Sequence, residues 1–169
     1  IFIEGSRWLE RALALPGAQE PALAKLRARA ILALGVLIMR RHELGPGAEV
    51  FFQALELAEQ LGEVHTRGMA HMWLGRMYKT RRDDANARVQ FALAVDDLRA
   101  AGDEWNLAVV DGFMMSFMVD DLSNDELRAI MEKNTSRARE LGHNLILADA
   151  LMGLAEVDVR EQMFDRAYE

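Results

Sequence analysis

Three glycines stand 40 residues apart in this chain, at Gly62, Gly102 and Gly142. Each closes a similar phrase: Leu61-Gly62-Glu63, Ala101-Gly102-Asp103 and Leu141-Gly142-His143. A second marker keeps the same interval, in Leu34-Gly35, Leu74-Gly75, Met114-Met115 and Leu154-Ala155. Two markers in one fixed phase imply a repeated supersecondary unit. A single unit cannot bury its apolar face alone, so successive units stack. The expected role of such an array is recognition rather than catalysis.

Within each unit the apolar residues recur at spacings of three and four, as in Ala70, Leu74, Met77 and Tyr78, or Phe91, Val95 and Leu98. That is the helical period, and no stretch alternates long enough to suggest a strand. Alanine, leucine, glutamate and arginine are abundant, and all four favour helices. Glycine ends a helix readily because it accepts the left-handed conformation. The breaks therefore predict an incomplete unit over 1–17, with a helix over 6–15, then full helix pairs over 21–61, 64–101 and 104–141. A partial unit, 144–169, follows. Short junctions make consecutive helices antiparallel neighbours. The fold class expected is all-α, a right-handed superhelical solenoid of antiparallel helix pairs in a single domain. Ser123-Asn124-Asp125-Glu126 reads as a capping box.

Composition excludes several chemistries. The chain has no cysteine, which rules out disulfides, thiol catalysis and cysteine-ligated zinc and fits a cytoplasmic protein. A net charge of −7 opposes a nucleic-acid face on this segment. The longest uncharged, largely apolar run, Ala30–Met39, is half the roughly 20 residues needed to span a membrane. The chain starts on Ile1 and ends on Glu169 inside a repeat, so it reads as part of a longer protein. Its cut ends are expected to self-associate through Trp8, Leu9 or Phe164.

The pattern inside each unit resembles the tetratricopeptide repeat: a large residue, Leu-Gly and Tyr on helix A, then a small residue, an aromatic and alanine on helix B. The second unit supplies His71, Leu74, Gly75, Tyr78, Ala87, Phe91 and Ala94; the first supplies Ile31, Leu34, Gly35, Ile38, Gly47, Phe51 and Ala54. The third is eroded, with Met114-Met115 in place of Leu-Gly. The common repeat is about 34 residues long, so longer helices are expected here. Units of this length, with their Leu-Gly-Asp/Glu junctions and the opening Gly5-Ser6-Arg7-Trp8-Leu9-Glu10-Arg11, are similar to the tetratricopeptide regions of MalT-like and LuxR-type ATPase regulators of the STAND group. The resemblance implies a non-enzymatic sensor or scaffold section of a transcriptional regulator. A stand-alone adaptor is the alternative, and a helical-repeat enzyme, with His71, Asp111 and a serine in one cleft, a third.

In this architecture helix A lines a concave surface. The outward stripe predicted for it is Arg29, Leu32 and Val36 in the first unit, Met69, Met72, Arg76 and Lys79 in the second, and Gly112 and Ser116 in the third. Trp73 and Phe113 stand at its wall. Methionine-rich surfaces repack around different partners, so a protein or peptide segment, or a small effector, is the expected ligand. Ten methionines in a helical array also fill ordinary core gaps. No cofactor and no metal is expected. The four histidines, His42, His65, His71 and His143, lack the His-x-x-x-His spacing of helical zinc sites, and three of them fall at junctions where solvated histidines are common. Asp120, Asp121 and Asp125 read as solvated turn residues, and Asp96 and Asp97 as the polar side of a helix.

Overall fold

In the computed structural model the described residues, 2–41, 43–115, 117 and 122–163, are helical throughout their regular elements. Among the described residues eight α-helices run in order: α1 Phe2–Leu13, α2 Ala24–Met39, α3 Leu44–Leu61, α4 Val64–Thr80, α5 Asp84–Ala100, α6 Glu104–Met115, α7 Asn124–Glu140 and α8 Asn144–Arg160. Two short 3-10 turns, Pro16–Gln19 and Pro21–Leu23, join α1 to α2. Proline fits the opening of each turn, where its missing N–H costs nothing. No described helix is long and apolar enough to cross a membrane.

The predicted boundaries fall within a few residues of the observed ends, except that the first helix starts at Phe2 rather than Ser6. Ser116, Asp120 and Asp121 lie outside the described residues. So do His42 and Phe164.

Helix ends follow the local chemistry. Gly62, Gly102 and Gly142 adopt φ of 63°, 69° and 64°, the left-handed conformation that the sequence calls for. Ser123 caps α7: its Oγ accepts from the Glu126 amide while the Glu126 carboxylate accepts from the Ser123 amide, closing the capping box. The Ser123 hydroxyl, which donates to the Glu126 carboxylate at 2.7 Å, and then the Ser123 amide hold that carboxyl below its ordinary value.

The chain divides into two compact units, Ile1–Asp103 and Glu104–Glu169. In the first, α2 packs on α3, α3 on α4, α4 on α5, and α2 also touches α4. Gly35 faces Phe51 and Gly47 faces Met39, so four residues along α2 match four back along α3. Gly75 faces Phe91 and Gly68 faces Leu98, which sets α4 and α5 antiparallel in the same way. The two glycines at the Leu-Gly marker do the same work. A Cβ on Gly35 would lie 2.6 Å from the Phe51 ring, and one on Gly75 would lie 2.6 Å from the Phe91 ring. Phe51, Phe91, Leu74, Met77 and Leu98 fill this core with almost no exposure. Phe51 also stacks on Trp73 of the following pair, 6.2 Å between centroids, so one ring serves both packings.

In the second unit α7 packs on α8, with Met131 against Gly153 and Leu127 beside Val157. Ala108, Ala138 and Ile146 form a smaller core from α6, α7 and α8. The Met115 side chain, at the marker position of the third pair, lies outside those described.

One contact recurs every 40 residues and was invisible in the sequence. Lys25 Nζ sits 2.7 Å from Glu63, and His65 Nε2 sits 2.7 Å from Asp103. At the next interval Trp105 stacks on His143, centroids 3.7 Å apart. Each contact ties the start of a helix A to the residue after the glycine that ends the paired helix B. The chemistry changes from ion pair to hydrogen bond to ring stack while the position is kept.

His143 is therefore not the solvated junction residue that was expected: only 5% of it is exposed. Its Nδ1 accepts from the Ile146 amide at the start of α8, and burial holds the imidazole below the ordinary value of 6.5. Folding thus favours the neutral ring, while the unfolded chain takes up the proton first. Stability contributed by this group is complete above the ordinary value and is lost as pH falls below it toward the lowered one. Acidification from about pH 7.5 to about pH 5.5 should speed amide exchange in α8, and His143→Asn, which keeps a cap, should remove much of that dependence. An unchanged pH profile in the Asn variant would contradict the assignment.

Candidate partner-binding face

The face proposed from sequence is built in the first unit by α2 and α4, which touch. Leu32 and Val36 on α2 are half-buried, as are Met69, Arg76 and Lys79 on α4. The Arg76 guanidinium lies 4.9 Å from the centroid of Trp73, a cation–π arrangement. Trp73 in turn stacks on Phe51 of α3. A cation, an indole and a phenyl ring from two successive helix pairs thus form one stack. Burial, and then the nearby Arg40, push the Arg76 guanidinium below its ordinary value.

Several predicted residues sit differently. Met72 is 3% exposed and Trp73 8%, so both belong to the core, where their bulk fills the space between helices. Neither can meet a partner directly; Trp73 acts only by supporting Arg76. The indole Nε1 of Trp73 is buried without a hydrogen-bond partner among the described residues. Arg29 is exposed, but its guanidinium bonds Glu63 at 3.1 Å beside Lys25. Lys25 and then Arg29 hold the Glu63 carboxyl below its ordinary value. In the second unit Gly112 is exposed with nothing within 4 Å of an added Cβ, so it serves neither close packing nor a tight backbone approach. Phe113 is half-buried, and Ser116 lies outside the described residues.

The groups considered for chemistry each have a partner within their own unit. His71 Nδ1 lies 2.8 Å from Gln90 Oε1, and Asp111 accepts from Arg137, which also bonds Glu104. Among the described residues no three His, Asp or Glu side chains come together as a metal site would need.

Asp97 was read as a polar-side residue and is instead 7% exposed. The Arg67 fork reaches it from α4, with Nε at 2.8 Å and Nη2 at 2.5 Å. This hydrogen-bonded carboxylate raises the Arg67 guanidinium above its ordinary value. A comparable clasp joins α7 to α8, where Arg128 bonds Asp158 and Glu161. Sequence spacing alone gave no sign of either, because the partners are 30 residues apart. The same holds for a cavity at the end of α2, described below.

No protein-family model matches the chain, and no curated protein does. Among solved structures it is similar to one described as the crystal structure of BtubC (BKLC) from P. vanneervenii, with a TM-score of 0.69 at 18% identity. The likeness covers 97% of this chain and 66% of that one. It extends the all-helical fold to a known structure and carries nothing about activity or ligand.

Proposed function

We propose that this chain is a non-catalytic recognition module, a right-handed solenoid of tetratricopeptide-like helix pairs whose helix A face takes a peptide or protein segment. The Arg76–Trp73–Phe51 stack is the observation that carries the reading. It sets a positive charge over an aromatic shelf, beside the half-buried Leu32, Val36 and Met69. A peptide with an acidic residue between apolar ones would complement both. The stacked arrangement is supported by the junction contact that recurs every 40 residues and by the two glycine–phenylalanine seats in the same phase.

The wider role, a cytoplasmic sensor or scaffold section of a LuxR/MalT-like transcriptional regulator, rests on sequence resemblance. A fold by itself does not assign a function. An upstream phosphate loop or a downstream helix-turn-helix in the same gene would support it. Absence of both would favour an adaptor.

Photo-crosslinking residues at Val36 and Met69 should capture a partner, while one at Val89, exposed on helix α5, should not. Arg76→Glu should lower the yield at both positions about tenfold, the equivalent of ~1.4 kcal/mol in binding. Capture from Val89 alone, or full capture in the Arg76 variant, would remove this face from consideration. Met72→Glu is unsuitable as a probe, since it would bury a carboxylate.

A further inference from the structure

A second feature of the first unit lies apart from the helix A face. A cavity of about 430 Å³ opens between the start of α1 and the end of α2, lined by Phe2, Ile3, Arg40, Arg41 and Glu43. That size lies within the ~300–1,000 Å³ range typical of small-molecule pockets. Its charges are unequal in their freedom. Arg41 is committed: Nη1 donates to Ser6 Oγ at 3.1 Å, and Nη2 pairs with Glu43 at 2.7 Å. Among the described residues that line the cavity, Arg40 is then the charged side chain without a partner.

The Arg40 backbone amide donates to Val36 O at 3.0 Å, while its guanidinium makes no hydrogen bond or ion pair with a described residue. The charged group that senses it is Arg76, another cation, which its proximity disfavours. Phe2 and Ile3 supply an apolar wall, 47% and 53% exposed. A helix C-terminus favours cations, which accounts for arginines at the end of α2. It does not account for a cation facing a cavity with a hydrocarbon wall in a chain of net charge −7.

We infer that this cavity binds a small amphipathic carboxylate, with the acid group on Arg40 and the hydrocarbon tail against Phe2 and Ile3. A carboxylate matches the planar fork of a guanidinium. Inorganic phosphate fits less well: it has no tail for the apolar wall, and the rim carboxylate of Glu43 opposes a dianion. None of the lining residues belongs to the helix A face, although Arg40 lies near enough to Arg76 to disfavour its charge.

Octanoate is the probe, with acetate lacking the tail and octanamide lacking the charge. Titration calorimetry and amide shift mapping on the intact chain should show saturable octanoate binding, with shifts centred on the start of α1 and the end of α2. Acetate and octanamide should each bind at least about tenfold more weakly. Arg40→Gln should weaken octanoate by a similar factor, whereas Arg99→Gln, at a surface ion pair with Asp96 on α5, should not. Arg40 is exposed, so circular dichroism of the variant should match the parent. No saturable binding, equal binding of octanamide, or equal losses in the two arginine variants would overturn the inference.

Discussion

Gly75→Leu is expected to destabilise the first unit by about 3 kcal/mol, at the upper end of the usual cost of overpacking a tight core. A Cβ at this position would already lie 2.6 Å from Cδ1 and Cε1 of Phe91 and 3.0 Å from Cγ. Phe91 is fully buried, so its ring cannot swing aside into solvent. The helices must separate or the ring must leave its rotamer. Gly75→Ala should cost less, about 1–2 kcal/mol, because the same clash is partly offset by the better helix propensity of alanine. Gly112→Ala is the internal comparison. Nothing stands within 4 Å of its added Cβ, so it should gain about 0.5–1 kcal/mol. Urea unfolding of the three variants separates these outcomes. A Gly75→Leu variant as stable as the parent would show that α4 and α5 do not approach as closely as described.

Arg67→Ala is expected to cost roughly 2–4 kcal/mol, because it strands the Asp97 carboxylate in the core without its partner. Asp97 is 7% exposed, and both of its oxygens accept from the Arg67 fork. The Arg67 side chain keeps 34% of its surface in water, so the loss should fall short of that for a fully enclosed pair. Replacing both residues together, Arg67→Met with Asp97→Leu, should recover most of the loss, since no charge is then left buried. Equilibrium unfolding of the two variants decides it. If the single replacement proves neutral, the pair is an exposed one and contributes little.

The helices and their junctions were legible because their signals are local. Spacing at three and four residues, glycine after each helix B, and Ser123 with Glu126 all act within one or two turns. The seat of Phe91 on Gly75 was not legible in the same way: the repeating phrase contains both residues but does not say that they touch within one pair. Contacts between helices were harder to read. Asp97 and Arg67 look like two ordinary surface charges until α4 and α5 are brought together. His143 looks like a turn residue until Trp105 is laid upon it. The helix A stripe failed at Met72, and Trp73, placed at its wall, is buried too, for a related reason. A helix wedged between neighbours buries more than one side, and α4 is buried around most of its circumference from Thr66 to Met77. Outward direction therefore cannot be taken from a single marker glycine.

Cross-linking at equivalent positions tests most directly whether the 40-residue interval is a structural repeat. The chain has no cysteine, so paired cysteines can be placed without background. Cysteine pairs at positions 25 and 63, 65 and 103, and 105 and 143 should each close within one molecule under a short bis-maleimide, with similar efficiency. A pair one interval out of step, at positions 25 and 103, should stay open. Closure of one in-step pair without the others, or ready closure of the out-of-step pair, would contradict the repeat on which the proposed function stands.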